Sequence, residues 1–466
     1  MSTRFDGGER VASRSRRTIA QRETAHACRL QGTACFFRQR TPHDPPTIPA
    51  SLPRSCNRTS GYSRGGTPPA VHAQTYEITL LTPTHFLPAS DKKLGDLAQR
   101  FTKETRINVT IEHIANPQLP AKLAAEVHMQ AGHDLIDLRM HMPIYHEYQL
   151  VDLTDVVVPL AEKNGGMYGF CEEAALVRGH WRAMPWHHRS FPGSYNKPYF
   201  DQVGEKAPDT WDDLLRAGKK LKANGYPIGV AIGQTYDAIS TLSGIMWCYG
   251  AKTVEADGKT VAIHSTETEA AIEYVKQLYA DAMEPEVLSW DDNSNNRLLL
   301  SGKGSWIHNV HSHYLMAKEK KMPIAEQIYF HLSPQGPAGR HTPTVVRSLG
   351  IWKFSKNIDA AKEFIKFHFS TENYSEFIMA SECFNAPVYK GMEDHPAWQT
   401  DPKYEPIKEG SKYGHLYGWP APGDERSQQV TDSFIIPTMF AKAVTGASTK
   451  EAIAWAEGEI RRIYGS

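Results

Sequence analysis

From residue 76 to residue 140 the chain alternates segments of two kinds, and this alternation restricts the fold more than any other feature. YEITLLT (76–82) is short and β-rich. ASDKKLGDLAQRFTKET (89–105) sets Leu94, Leu97, Ala98 and Phe101 at helical spacing behind a Ser90-Asp91 cap. INVTIEHI (107–114) alternates as a strand does, PQLPAKLAAEVHMQAG (117–132) has a helical period closed by glycine, and DLIDLRM (134–140) is a buried strand. Strands separated by helices must cross over to pair, so the expected fold class is α/β with a parallel component.

The alternation resumes further on. TWDDLLRAGKKLKANG (210–225) reads as a helix capped by Thr210 and stopped by Gly225, PIGVAIG (227–233) as a strand, and YDAISTLSGIMWCYG (236–250) and STETEAAIEYVKQLYADAM (265–283) as helices. LLLSGKGSWIHN (298–309) is a helix end, a glycine turn and a strand, and RSLGIWKFS (347–355) is another strand. Helices over 359–370, 372–381 and 448–464 complete the chain, with no repeat of solenoid period. At 466 residues this exceeds one ordinary core, which implies two lobes.

Charge separates a leader from this body. Residues 1–74 hold 12 Arg, no Lys and 4 acids, a net of +8, and the remainder nets −8. An acidic body argues against nucleic acid as a partner, because phosphate binding needs a concentrated basic face. Within the leader, Ser15-Arg16-Arg17-Thr18-Ile19 looks like the start of a twin-arginine signal, and Val71-His72-Ala73 before Gln74 has small residues suited to signal peptidase. The apolar region between them is missing. The leader is therefore read as a mis-assigned start or out-of-frame translation standing where a signal peptide belongs, with a mature chain beginning near Gln74. A genuine disordered extension is the alternative, and the export route, Sec or twin-arginine, stays open. No run of 18 apolar residues spans a membrane. Cys171, Cys248 and Cys383 lack CxxC spacing and read as buried thiols, a disulfide among them remaining open.

Six segments together resemble the family 1 extracellular solute-binding proteins of ABC importers, the maltose-binding-like group. They are LGDLAQRFTKETRINVTIEH, AGHDLIDL, WRAMPWHHRSFPGSYNKPYF, APDTWDDLLRAGKKLKANGYPIGVAIG, LLLSGKGSWIHN and LGIWKFSKNIDAAKEFIKF. No one of them is specific; their order and spacing are. The resemblance covers 76–466. It implies a periplasmic binding protein-like II fold of two discontinuous α/β lobes joined by hinge strands, 75–186 with 309–370 and 187–308 with 371–466. It also implies a monomer that captures a sugar, oligosaccharide or polyol in the interlobe cleft and delivers it to membrane permease subunits, without a cofactor. The same fold binding a polyamine, a metal or another small solute is the alternative. A carbohydrate hydrolase using Asp291, Glu172 or a His–Asp pair is a further one, although GxSxG, P-loop, GxGxxG and HExxH motifs are absent.

On this reading AMPWHHRSFPGSYNK (183–197) is the first hinge crossing, with Trp186 and His187 at the cleft mouth. An aromatic face beneath a sugar and amide, carboxylate or imidazole groups at its rim suit carbohydrate binding. A core role for Trp186 is equally compatible, and His188 points away from His187 on an extended strand. His85, Phe86 and His141 follow strands, as do Gln234, Tyr236 and Asp237, and open α/β sheets bind ligands beyond the carboxyl ends of strands. Trp290 with Asp291 and Asp292, Asn309, His311, Arg347, Trp419 and Arg426 complete the candidates, the two aspartates being better explained as helix caps. The run His308, His311, His313 is read as polar cleft lining and not as a metal site. If two of Arg189, Arg347 and Arg426 converge, an anionic ligand such as an acidic sugar is favoured.

Overall fold

The computed structural model describes residues 76–85 and 87–465, which belong to one compact unit. The leader, its export-like fragments and Phe86 lie outside the described residues.

The first alternating stretch builds the centre of a sheet. Strands β1 (Tyr76–Pro83), β2 (Ile107–Ile114) and β3 (Leu135–Arg139) pair in parallel with β1 in the middle. The connecting helices are α1 (Pro88–Thr105) and α2 (Leu119–Met129). Leu94, Leu97, Ala98 and Phe101 are the buried stripe of α1, as their spacing requires. The start of α1 differs from the expected Ser90-Asp91 cap. It opens at Pro88 with no side-chain cap, Ser90 is buried in the first turn, and Asp91 instead accepts a hydrogen bond from the His85 backbone. Likewise α2 stops before Gly132, with Gln130 in the left-handed region.

The second half of the architecture begins at β4 (Met184–Ser190), which leads through Phe191 and Pro192 into β5 (Gly193–Asn196) of a different sheet. That second sheet adds β6 (Ile228–Gly229), β7 (Trp306–His308) and β8 (Ile328–His331), in the order β8-β5-β7-β6. Only two residues of the expected strand 227–233 are paired. Strand β9 (Thr342–Ile351) returns to the first sheet and runs antiparallel to β3 on one side and β4 on the other. Its first residues, Thr342 and Pro343, pair with β10 (Gly414–His415).

Between β4 and β9 the register slips. Arg347 faces His187 but Ser348 faces Pro185, so Trp186 is the extra residue of a bulge. Its ring is fully buried, stacks on Phe377 at 5.5 Å between centroids, and donates from Nε1 to His368 Nε2 at 2.9 Å. Trp186 is thus a core residue and not a wall of the cleft. His368 and Phe377 come from helices Ile358–His368 and Thr371–Ala380. Tyr374, Phe377, Tyr389 and Leu416 belong to a hydrophobic cluster that packs on the first sheet and also takes in Ile307 of β7 and Phe330 of β8. The other cluster, with Trp211, Leu242, Trp306 and Phe440, packs on the second sheet.

Cys171, Cys248 and Cys383 are buried free thiols. Among the described residues no helix is long and apolar enough to cross a membrane. Truncating a fully buried tryptophan costs about 3–5 kcal/mol, so Trp186→Ala is expected to lower the unfolding free energy by that amount in urea unfolding monitored by circular dichroism. A change below about 1 kcal/mol would place the ring outside the core.

Candidate functional site

The parallel strands of the first sheet share one carboxyl-end edge, and the polar groups there face a common cavity. The space between them, open solvent included, is about 740 Å3. The first sheet contributes Thr84 and His85 after β1, Asn116 after β2, and Asp137 and Arg139 from β3. Arg189 and Phe191 come from the β4–β5 crossing, and Arg347 from β9. Across from them lie Tyr236 and Asp237 in the first turn of helix Tyr236–Cys248, Asp292, Asn296 of helix Ser294–Leu300, and Asn309 after β7.

A buried ion pair forms the floor. Arg347 Nε donates to Asp137 Oδ1 at 2.8 Å, and the two residues are 4% and 2% exposed. Asp137 Oδ2 also accepts from Thr82 Oγ1 at 2.9 Å, and Arg347 Nη1 donates to Asn116 Oδ1 at 3.2 Å. Arg347 Nη2 is buried and has no hydrogen-bond partner among the described residues. The other two arginines rest on neutral groups. Arg139 Nη2 donates to the Tyr417 hydroxyl at 2.9 Å, with its guanidinium 4.0 Å from the Tyr236 ring centroid. Arg189 donates to Asn385 Oδ1, at 2.8 Å from Nη2, and lies 4.3 Å over the Phe384 ring. Burial, reinforced by the charges of Arg347 and Arg139 against the opposing pull of Asp137, draws Arg189 down to about 9.

The facing wall is acidic and amide-rich. Asp237 Oδ2 accepts from Asn295 Nδ2 and Asn309 Nδ2, both at 2.8 Å. Burial, then the neighbouring Asp292 carboxyl, pushes Asp237 well above the usual carboxylate range. Asp292 is raised as well, by burial, against hydrogen bonds from the Asp237 and Tyr236 backbone and the charge of Arg139. His85 is pulled down by burial, its hydrogen bond to Asp91 opposing and Arg189 adding to the fall. Fixed donors on one side, fixed acceptors on the other and an aromatic ring between them can hold a small polar molecule by its edges.

The model of the bacterial extracellular solute-binding proteins matches residues 96–406. The chain belongs to this family. No curated protein sequence matches it. Among solved structures, maltose-bound MalE3 of T. maritima is 20% identical with a TM-score of 0.72, over 83% of this chain and 100% of that one. An ABC transporter solute-binding protein of Thermotoga lettingae TMO, bound with α-D-tagatose, is 18% identical with a TM-score of 0.73, over 84% and 100%. One from Agrobacterium radiobacter K84, in complex with ribitol, is 20% identical with a TM-score of 0.71, over 83% and 98%. At these identities the likeness is one of fold.

In this solute-binding protein His85, Tyr236, Asp237, Asn309 and Arg347 line the cavity, together with Arg189 and Asp292, and the other described candidates are not part of that lining. His187 is fully buried behind the floor, its ring 6.0 Å from that of His85. His141 packs beside Gly423 and shares a hydrogen bond with Ser427. Gln234 is exposed and donates to Thr438, and Trp290 packs over Gly229. His311 points to the Glu382 carbonyl, and His308 to Thr241 and Ser333. With His313 buried separately, no group of three His, Cys, Asp or Glu residues among the described residues is arranged to hold a metal ion. Trp419 stacks on His415 at 4.0 Å, and Arg426 pairs with Asp424. Asp291 and Glu172, the candidate hydrolase carboxylates, are exposed and are not part of the cavity lining.

Asn116, Asp137, Arg139 and Asn296 were not candidates, and Asp292 counted only as a cap. A signal was present for two of them. Asp137 and Arg139 are charges at alternate positions of an otherwise apolar strand, which places both on one face.

A carboxyl raised on folding binds more protons in the native state, so its contribution favours the native state at low pH and is lost as pH rises toward the raised value. Stability of Asp237→Asn relative to the parent is therefore expected to increase steadily from pH 4 to pH 8 in urea titrations. A difference that is flat in pH would show that Asp237 titrates normally.

Proposed function

We propose that this protein is the substrate-binding component of an ABC importer, working in the periplasm as a monomer. It captures a carbohydrate, whether sugar, oligosaccharide or polyol, in the cleft and delivers it to a membrane permease. The observation that carries this reading is the cavity itself, walled by fixed amide, carboxyl and guanidinium groups that come from segments of both sheets. The maltose, tagatose and ribitol held by proteins of the same fold support a polyhydroxylated ligand.

The lobes are best drawn as about 76–190 with 343–417, and 193–342 with 418–465, because strands β4–β5 and β9 are the segments that pass between sheets. A solute touching both stabilises the closed arrangement by its contacts in that state alone.

Thermal-shift and calorimetric titration with pentoses, hexoses, polyols and malto-oligosaccharides test this reading. A saturable rise is expected, worth about 2.7 kcal/mol of stability at a ligand concentration 100 times Kd, and Tyr236→Ala should weaken it at least tenfold. A response confined to polyamines or divalent metals, or turnover of a glycoside, would sink it.

A further inference from the structure

A guanidinium can donate to the hydroxyls of a neutral sugar, but such a ligand brings no charge to offset several guanidinium groups at close quarters. Here three arginines line one cavity, and only one of them is matched by an acid. Arg347 pairs with Asp137. Arg139 and Arg189 have neutral partners, the Tyr417 hydroxyl and the Asn385 amide oxygen, and among the described residues neither forms an ion pair with a carboxylate. Arg139 is 6% exposed. A buried cation without a counter-charge is costly, and an anionic ligand relieves that cost as it binds. The second observation is the Nη2 of Arg347, buried in the same wall and lacking a hydrogen-bond partner among the described residues.

We infer that the cleft recognises a carboxylate-bearing carbohydrate, a uronic or aldonic acid unit, whose carboxylate is held by Arg189 and the free edge of Arg347 while its hydroxyls meet the Asp237–Asn309 wall. This rests on the carbohydrate reading above and adds its charge. A planar guanidinium matches a carboxylate through two parallel hydrogen bonds. Asp137 is paired with Arg347, so the guanidinium groups without a carboxylate partner are those of Arg139 and Arg189. Arg189, drawn down to about 9 by burial and by its arginine neighbours, is where a negative charge is most strongly favoured.

The test is calorimetric titration of the full chain with D-galacturonate, D-glucuronate, D-gluconate and digalacturonate, each beside its neutral counterpart, and with citrate and succinate as carboxylates that are not sugars. At least one acidic sugar is expected to bind tenfold or more tighter than its neutral partner. Arg189→Gln should collapse that ratio toward one, and Arg347→Lys, which keeps the charge but loses the planar fork, should reduce it. Melting by circular dichroism confirms that each variant folds. Neutral sugars binding as tightly as acidic ones, or a ratio unchanged in folded Arg189→Gln, would overturn the inference and leave the carbohydrate reading intact. Binding of citrate or succinate with no sugar of either kind would overturn the carbohydrate reading and keep the carboxylate site. Binding of none of these overturns the acidic-sugar inference.

Discussion

The buried pair of Arg347 and Asp137 fixes the geometry on which the cleft depends. Asp137 belongs to β3 and Arg347 to β9, Thr82 of β1 donates to the same carboxylate, and Asn116 after β2 accepts from the same guanidinium. One ion pair therefore ties together the carboxyl ends of three parallel strands and the antiparallel strand beside them. Removing either charge would leave the other buried without a partner, at a cost of about 3–5 kcal/mol. The two extra hydrogen bonds are what make burial of the pair tolerable, and they also hold Asn116 and the end of β1 at the cavity edge.

Behind this floor the bulge at Trp186 joins polar and apolar layers. The extra residue lets Arg347 sit opposite His187 and shifts the pairing of the rest of β9 by one residue along β4. Trp186 is thereby sent into the core against Phe377, with His85 edge-on to it at 5.7 Å. The wall that carries the arginines thus rests on aromatic packing supplied by the segment 358–380. That dependence explains why this segment belongs with the first sheet despite its distance along the chain.

The architecture was largely legible because periodicity and capping are local. Thr210 with Asp213 and Ser448 with Glu451 form capping boxes at helices whose starts the sequence marks plainly. Strand ends were legible too, and His85, Tyr236 and Asp237 were found from the rule that ligands gather beyond them. That rule also selected Gln234 and His141, whose side chains turn to Thr438 and Ser427. Trp186 was misplaced because a bulge breaks the alternation from which its direction would be read. Trp419 and Arg426 find partners nearby in His415 and Asp424, and composition alone does not reveal such local satisfaction. The arginine cluster could not be seen whole, since Arg139, Arg189 and Arg347 stand far apart in the chain and meet only through the pairing of β3, β4 and β9.

Arg139 rises from the first sheet, yet its guanidinium lies 4.0 Å from the ring of Tyr236, a residue of the helix on the facing wall. On the hinge-closure reading proposed above, such a contact acts as a latch between the two walls. A cation–π contact of about 0.5–2 kcal/mol multiplies the ratio of shut to open molecules roughly 2- to 30-fold, and apparent affinity scales with the fraction already competent. Evolution could thus retune how much solute the protein needs by weakening or strengthening this latch, leaving the groups that read the solute's identity unchanged.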